Sequence, residues 1–386
     1  MTEVSANLAG GTSVDAENRR LRAAGRAPEE VAALLTQAKL REKAVSKFGG
    51  LANELLFTQA ALEQATRIAV ARGHAARFAV AGCKRVTDLG CGIGTESIAL
   101  LEHGVTPSPV ELDPFTARVA QHNLATVAAR LEVAAPSVCA ADATSVRLDD
   151  VDGAFLDPAR RTAGHRDTRR IASPDDYSPS LTFAFDVAER LPTGVKLGPG
   201  LDRSLIPDHA EAQWVSVDGH VVETALWFGS LARPGVARAA LVHRAGHTHE
   251  MTAAADAPDV DVRTLGDYLY EPDGAVIRAR LIGALAIELG AGMLSDGIAY
   301  LTGDTHVESP FAQSFRVLEQ LPAKEKELRR ALSARGIGTL EIKKRGTDVD
   351  PAMLRKRLKL SGPESATIVL TRDASGRHIV LLMERC

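Results

Sequence analysis

The sequence predicts an α/β chain, a doubly wound and mostly parallel sheet preceded by helices and followed by an α+β domain. Three observations predict it. From Val86 to about His249, short apolar runs alternate with helical stretches, the pattern of a parallel sheet covered on both faces. A glycine-rich turn, DLGCGIGTES, joins the first of those runs to a helix. Beyond residue 262 the texture changes to a coarser succession of strands and charged helices.

Each element follows from local chemistry. Residues 1 to 16 are small and polar and are expected to fray. APEEVAALLTQAKLREKAVSKFGG and FTQAALEQATRIAVARGHAARFAVAG place apolar residues at helical spacing. The strand candidates are RVTDL, SPVEL, DGAFLD and TGVKLG, then QWVSVDG and HVVETALWFG, which form a hairpin turning at Asp218-Gly219. MTAAADAPDVDV, 251 to 262, has the composition of a linker. A helix is expected from near Pro272 to about Leu289. After it come QSFRVLEQL, the helix AKEKELRRALSARG, the strand TLEIKKRG, the helix DPAMLRKRLKL, and the strands ATIVLTRD and HIVLLMER. Asp350 followed by Pro351 is a helix start, an N-cap with proline in the first position. These signals divide the chain into a helical region over 1–80, an α/β domain over 81–255 and an α+β domain over 262–386.

The 386 residues are 45% apolar and 25% charged, a globular balance. The formal charge of −3 is uneven: Lys324 to Lys359 carries +7 and the rest −10, which suits an anionic partner. Cys83, Cys91, Cys139 and Cys386 show no C-x-x-C pairing, so a reducing compartment is expected. The start of the chain lacks the basic and apolar blocks of a signal peptide, and the apolar stretch 276–294 is broken by Arg278, Arg280 and Glu288. A cytoplasmic protein with no membrane partner is expected. His243, His247 and His249 lie in a strand end without helical support, so no metal site is expected. No G-x-S-x-G elbow is present.

Glycine at a strand-to-helix turn gives access to positive φ and lets a ligand lie on the bare peptide. Gly90, Gly92 and Gly94 do this ahead of a helix whose N-terminal amides face the loop. A tight turn of an ordinary α/β domain would use the same residues. Dinucleotide sites space their glycines as G-x-G-x-x-G. Here the spacing is G-x-G-x-G, and with Asp88 ahead of it the stretch resembles the first motif of class I S-adenosylmethionine-dependent methyltransferases. Asp88 would then accept from the cofactor's ammonium. In an α/β sheet, ligands sit at the carboxyl ends of strands, so acids there matter most. Glu111, in VELDP with Asp113, can accept both ribose hydroxyls. By the same resemblance Asp142 receives the adenine amino group, and Ala143 presents backbone to the ring.

The fourth strand ends in LDPARR. Amine methyltransferases often carry Asp or Asn, two prolines and an aromatic there, because a carboxylate and a carbonyl that accept the amine's N–H bonds aim its lone pair at the methyl group. Asp157 and the Pro158 carbonyl match, whereas Ala159 and Arg160 replace the second proline and the stacking ring. Tyr177 is a candidate substitute ring. Arg160, Arg161, Arg166, Arg169 and Arg170 suit phosphates, and equally suit a solvated loop beside Asp167, Asp175 and Asp176.

With FTQAALEQAT, HAARFA, VKLGPGLD, YLYEPDGAVIRA, IAYLTGD, SPFA and IKKRG added to these motifs, the chain resembles class I methyltransferases that carry a C-terminal THUMP-like domain. That resemblance implies a seven-stranded sheet, S-adenosyl-L-methionine as donor and structured RNA, a tRNA or rRNA methylated on a base, as acceptor. Lys343, Lys344 and Arg345 at a strand end, with the basic helix after them, can lie on phosphates. The alternatives are a small-molecule or protein methyltransferase, and a cofactor-binding assembly factor without catalysis.

Overall fold

The computed structural model describes residues 2–160 and 174–386. The chain forms two compact units, Met1–Ala210 with Ala225–Arg233, and Glu211–Thr224 with Pro234–Cys386.

The first unit opens with α1 (Thr2–Ala9), α2 (Val14–Ala23), α3 (Pro28–Phe48), α4 (Gln59–Gln64) and α5 (Ile68–Val80). The expected fraying at the start does not occur. Val4 is buried against Leu21, Val31 and Leu35, and this small cluster supplies the tertiary support that composition cannot reveal. The sheet is built from β1 (Arg85–Leu89), α6 (Thr95–Glu102), β2 (Thr106–Glu111), α7 (Pro114–Leu131), β3 (Cys139–Ala140) and β4 (Gly153–Leu156). A short ladder of β5 (Ala159–Arg160) and β6 (Tyr177–Ser178) precedes α8 (Leu181–Ala188) and β7 (Thr193–Leu197). Strand order is β3-β2-β1-β4-β7, every pair parallel. Leu40, Ala44 and Phe48 of α3 and Phe78 of α5 share one core with Val86, Ile98 and Phe155, so the leading helices cover the sheet.

Next come β8 (Glu211–Val217) and β9 (His220–Phe228), joined at Asp218 (φ 49°) and Gly219 (φ 81°), the left-handed pair of the expected hairpin. The last residues of β9 lie beside β7. β10 (Arg238–Arg244) and β11 (His247–Ala253) follow β8 in the order β8-β10-β11, two strands beyond the seven expected.

The rest of the second unit contains β12 (Tyr268–Pro272), α9 (Gly274–Arg278), α10 (Ile282–Leu289), β13 (Gly292–Ser295), β14 (Ile298–Gly303), β15 (Ala312–Leu321), α11 (Glu325–Ala334), β16 (Ile337–Lys344), α12 (Pro351–Leu358), β17 (Glu364–Arg372) and β18 (His378–Arg385). Its sheet runs β13-β14-β12-β15-β18-β17-β16. Alternation along β17 and β18 sends Ile368, Leu370, Val380 and Leu382 to a core under α11 and α12. Val369, Ile379, Leu381 and Met383 go to the other face. Asp350 caps α12 as expected, accepting from Met353 N at 2.9 Å.

One expected helix is broken. The stretch from Pro272 to Leu289 splits at Arg280, whose φ is 59° and whose carbonyl accepts from Ala257 N at 2.9 Å. The expected linker packs across that break, and a Cβ on Gly283 would lie 1.7 Å from Pro258 O, so glycine is required there. Among the described residues, no helix is long and apolar enough to cross a membrane.

Candidate active site

The glycine loop leaves β1 with positive φ at each of its glycines, 90° at Gly90, 56° at Gly92 and 88° at Gly94. Gly90 N and Cys91 N both donate to Val110 O at 2.9 Å, which ties the loop to the tip of β2. Gly94 caps α6 in the left-handed region that favours glycine, and a Cβ there would only touch Leu124 at 3.5 Å. Asn123, fully buried on α7, donates to Ile93 O and Leu56 O and accepts from Leu56 N, fixing the loop from behind.

Four acids stand at successive strand tips as the sequence predicts. Asp88, 1% exposed, accepts at Oδ2 from Ser97 N (3.1 Å) and Ser97 Oγ (2.6 Å). Burial pushes its carboxyl up to about 7, against the pull of those hydrogen bonds. Glu111 closes β2, with Oε2 accepting from Gly92 N (2.9 Å) and Oε1 from Asp113 N (3.0 Å). Its carboxylate keeps lone pairs on both oxygens for ribose hydroxyls. Asp142 follows β3 and accepts from the Thr144 hydroxyl and amide, which hold its carboxyl below the usual value. Ala143 beside it is half-buried. Asp157 follows β4, with Pro158 buried after it, and the Asp157 carbonyl lies 3.8 Å from where a Gly90 Cβ would stand.

Other expectations shift. Asp113 is the N-cap of α7 and accepts from Thr116 N at 2.7 Å, a structural task that engages the side chain expected on the cofactor. Tyr177 is 1% exposed, so it offers no open face for a base. Arg160 pairs through its backbone with Tyr177, while Arg161, Arg166, Arg169 and Arg170 lie outside the described residues.

Asp88, Gly90 and Asp157 line one recess of about 50 Å³ with Cys91, Thr95 and Glu96, and Ala61 and Gln64 of α4 close it together with Ala65 and Thr66 just past the helix. Such a volume takes only the end of a ligand, so the remainder would run along the open strand tips. Two buried polar atoms in the lining, Thr95 Oγ1 and Glu96 Oε1, have no hydrogen-bond partner among the described residues. A hydroxyl and a carboxylate oxygen left thus beside the N-terminus of α6 suit an ammonium and a carboxylate on one ligand.

Sequence reasoning missed the residues behind this lining. His74 Nδ1 lies 3.2 Å from Glu96 Oε2, and its ring stacks on Phe155. Burial works to raise the Glu96 carboxyl, but the charge of His74, with Lys196 and the Thr66 hydroxyl, outweighs it and holds Glu96 below its ordinary value. Lys196 Nζ pairs with Asp157 Oδ2 and donates to Thr66 Oγ1 at 3.2 Å. The available signal was a lysine in the otherwise apolar VKLG strand. Lys47 donates to Leu62 O, Glu63 O and Ala65 O, each at 2.8 Å, and so anchors α4 over the recess.

Over 346 residues the chain is 36% identical to an uncharacterized S-adenosylmethionine-dependent methyltransferase of Mycobacterium tuberculosis strain CDC 1551, covering 87% of this chain and 91% of the relative. Its counterpart in strain H37Rv matches equally. The chain belongs to the S-adenosylmethionine-dependent methyltransferases. The crystal structure of a candidate methyltransferase from Porphyromonas gingivalis W83 has the same fold, with a TM-score of 0.71 at 21% identity over 94% of this chain and 92% of that one. Residues 312–385 match the THUMP domain-like family. The protein is thus a class I methyltransferase with a C-terminal THUMP-like domain, and S-adenosyl-L-methionine is its cofactor.

In the THUMP-like region, the basic residues expected on RNA divide. Lys343 Nζ bonds Glu271 Oε2 at 2.6 Å and Gln313 Oε1 at 3.3 Å and lies over the Phe315 ring. Arg345 sits 3.7 Å from Glu271 Oε1 and over the Tyr300 ring. Both serve an internal ion pair, which removes them as phosphate contacts. Lys344, on the other side of the strand, is exposed. So are Lys326, Arg329 and Arg330 of α11 and Arg355 and Lys356 of α12, with Lys359 just past its end.

Proposed function

We propose that this methyltransferase acts on structured RNA, a tRNA or rRNA, in the cytoplasm. The observation that carries the reading is the exposed basic face of α11 and α12 within a THUMP-like region. Such a face attracts a phosphate backbone without reading sequence, which suits a domain that positions a folded RNA. The four cysteines, all free thiols, fit a reducing compartment.

S-adenosylmethionine supplies a methyl group on a sulfonium sulfur. Asp88, Thr95 and Glu96 hold the amino-acid end of the cofactor in this reading. Gly90, Gly92 and Gly94 give its chain a bare peptide to lie on, Glu111 takes the ribose, and Asp142 with Ala143 takes the adenine. Asp157 and the Pro158 carbonyl orient the acceptor, and most of the rate gain comes from that alignment.

Methyl transfer from labelled S-adenosylmethionine to RNA from cells lacking the protein tests the reading. Label is expected in RNA, with binding that weakens steeply as salt rises. Replacing Lys344, Arg355 and Lys356 together by Glu should lower both the affinity and its salt dependence. Label in protein or small molecules, with none in RNA, overturns the proposal.

A further inference from the structure

β4 and β7 run parallel with Leu156 beside Val195, so the next residue on each strand, Asp157 and Lys196, comes side by side. Lys196 is 9% exposed, while the Asp157 side chain is 36% exposed. The carboxylate therefore faces the recess, and the ammonium stands behind it. Burying an ammonium costs several kcal/mol in desolvation, offset here by Asp157 and by the charge of Glu96. Its position at the acceptor end of the site bears on which acceptor fits.

An exocyclic amine offers two N–H donors and becomes positive as the methyl group arrives, so its site needs two acceptors and no cation nearby. Here the main acceptor is already neutralised by an ammonium. Among the described residues the site also lacks the ring that would hold a flat base, since Arg160 stands where the motif has its aromatic and Tyr177 is buried. A hydroxyl has the opposite needs. It presents one hydrogen for a carboxylate, and it loses that proton during the reaction, which a neighbouring positive charge favours.

Building on the RNA reading, we infer that the acceptor atom is a ribose hydroxyl oxygen, received by the Asp157–Lys196 pair, and not a base nitrogen. An oxygen lone pair forms the new O–CH3 bond as the CH3–S bond breaks. The bonding pair of that broken bond goes to sulfur, which leaves as a neutral thioether. The oxygen turns acidic as the bond forms, and its proton passes to the Asp157 carboxylate. Lys196 is a positioning residue that keeps Asp157 ionised and aimed until that moment.

The test uses the full-length protein, methyl-labelled cofactor and RNA from cells lacking the protein. A methylated 2′-hydroxyl cannot attack its neighbouring phosphate, so after alkaline hydrolysis the label should remain in alkali-resistant dinucleotides. Label released in mononucleotides overturns the oxygen assignment and leaves the RNA reading standing. No label in RNA overturns that reading and this inference with it. Lys196→Met should lower transfer about 100-fold through kcat. S-adenosylhomocysteine binding should remain measurable by calorimetry, so that the loss appears in kcat, and the acidic limb of the rate profile should move to higher pH. Lys196→Arg should recover part of the rate. Wild-type transfer by a Lys196→Met protein that still binds S-adenosylhomocysteine refutes the role of the lysine.

Discussion

Asp88→Asn separates the two tasks given to that carboxyl group. In the unliganded protein, burial raises Asp88 from 3.8 to about 7, which corresponds to about 4 kcal/mol at about 1.4 kcal/mol per pH unit. Between pH 4 and pH 7 the unfolded chain has shed this proton and the folded chain keeps it. Stability therefore falls as pH rises through that window and levels off above it. Asparagine keeps the shape and can still accept from Ser97, but it carries no charge. Urea melts of the unliganded variant should show a flatter profile from pH 4 to 7 and greater stability above it. Cofactor binding should move the other way, because a ligand ammonium loses its carboxylate. A lost charged hydrogen bond of about 1.5–3 kcal/mol weakens S-adenosylhomocysteine binding by about 10- to 100-fold in calorimetry. A variant that binds as the wild type does, or melts with the same pH slope, refutes this account of the recess.

Three further outcomes are expected. Gly194→Ala puts a Cβ 2.7 Å from Trp227 Cζ3 and 3.1 Å from Phe155 Cδ2, so the urea midpoint should fall by an amount equivalent to about 1–3 kcal/mol. Glu271→Ala removes the nearer of two carboxylates from Lys343, only 17% exposed, and leaves Glu341 at 3.9 Å. That should cost about 1–3 kcal/mol in a urea melt and leave the salt dependence of RNA binding unchanged, as an internal role requires. Lys47→Met strips the carbonyls of Leu62, Glu63 and Ala65 of their shared donor. Hydrogen exchange over residues 59–67 should speed up and cofactor affinity should drop, while exchange in β16 to β18 stays as it was.

Local signals were legible because their causes are local. The glycine loop, the acids at the tips of β1 to β4, the Asp218-Gly219 hairpin and the Asp350-Pro351 helix start each depend on the chemistry of a few adjacent residues. Where the sequence misled, a distant segment supplied the cause. The helix expected to Leu289 breaks because Ala257 and Pro258 pack across it, and the first residues fold because Val4 has a pocket. Lys343 and Arg345 read as a basic edge until the fold set Glu271, some seventy residues earlier, beside them.

The sequence by itself determined the bare-backbone turn and the strand-end carboxylates, since backbone freedom and side-chain charge belong to residues wherever they sit. Only the tertiary structure decided what surrounds those groups: that α4 roofs the recess, that Asp157 shares its charge with Lys196, and that Asp88 lies deep enough to hold its proton near neutrality. Burial and charge pairing are properties of neighbours in space, and folding chooses those neighbours.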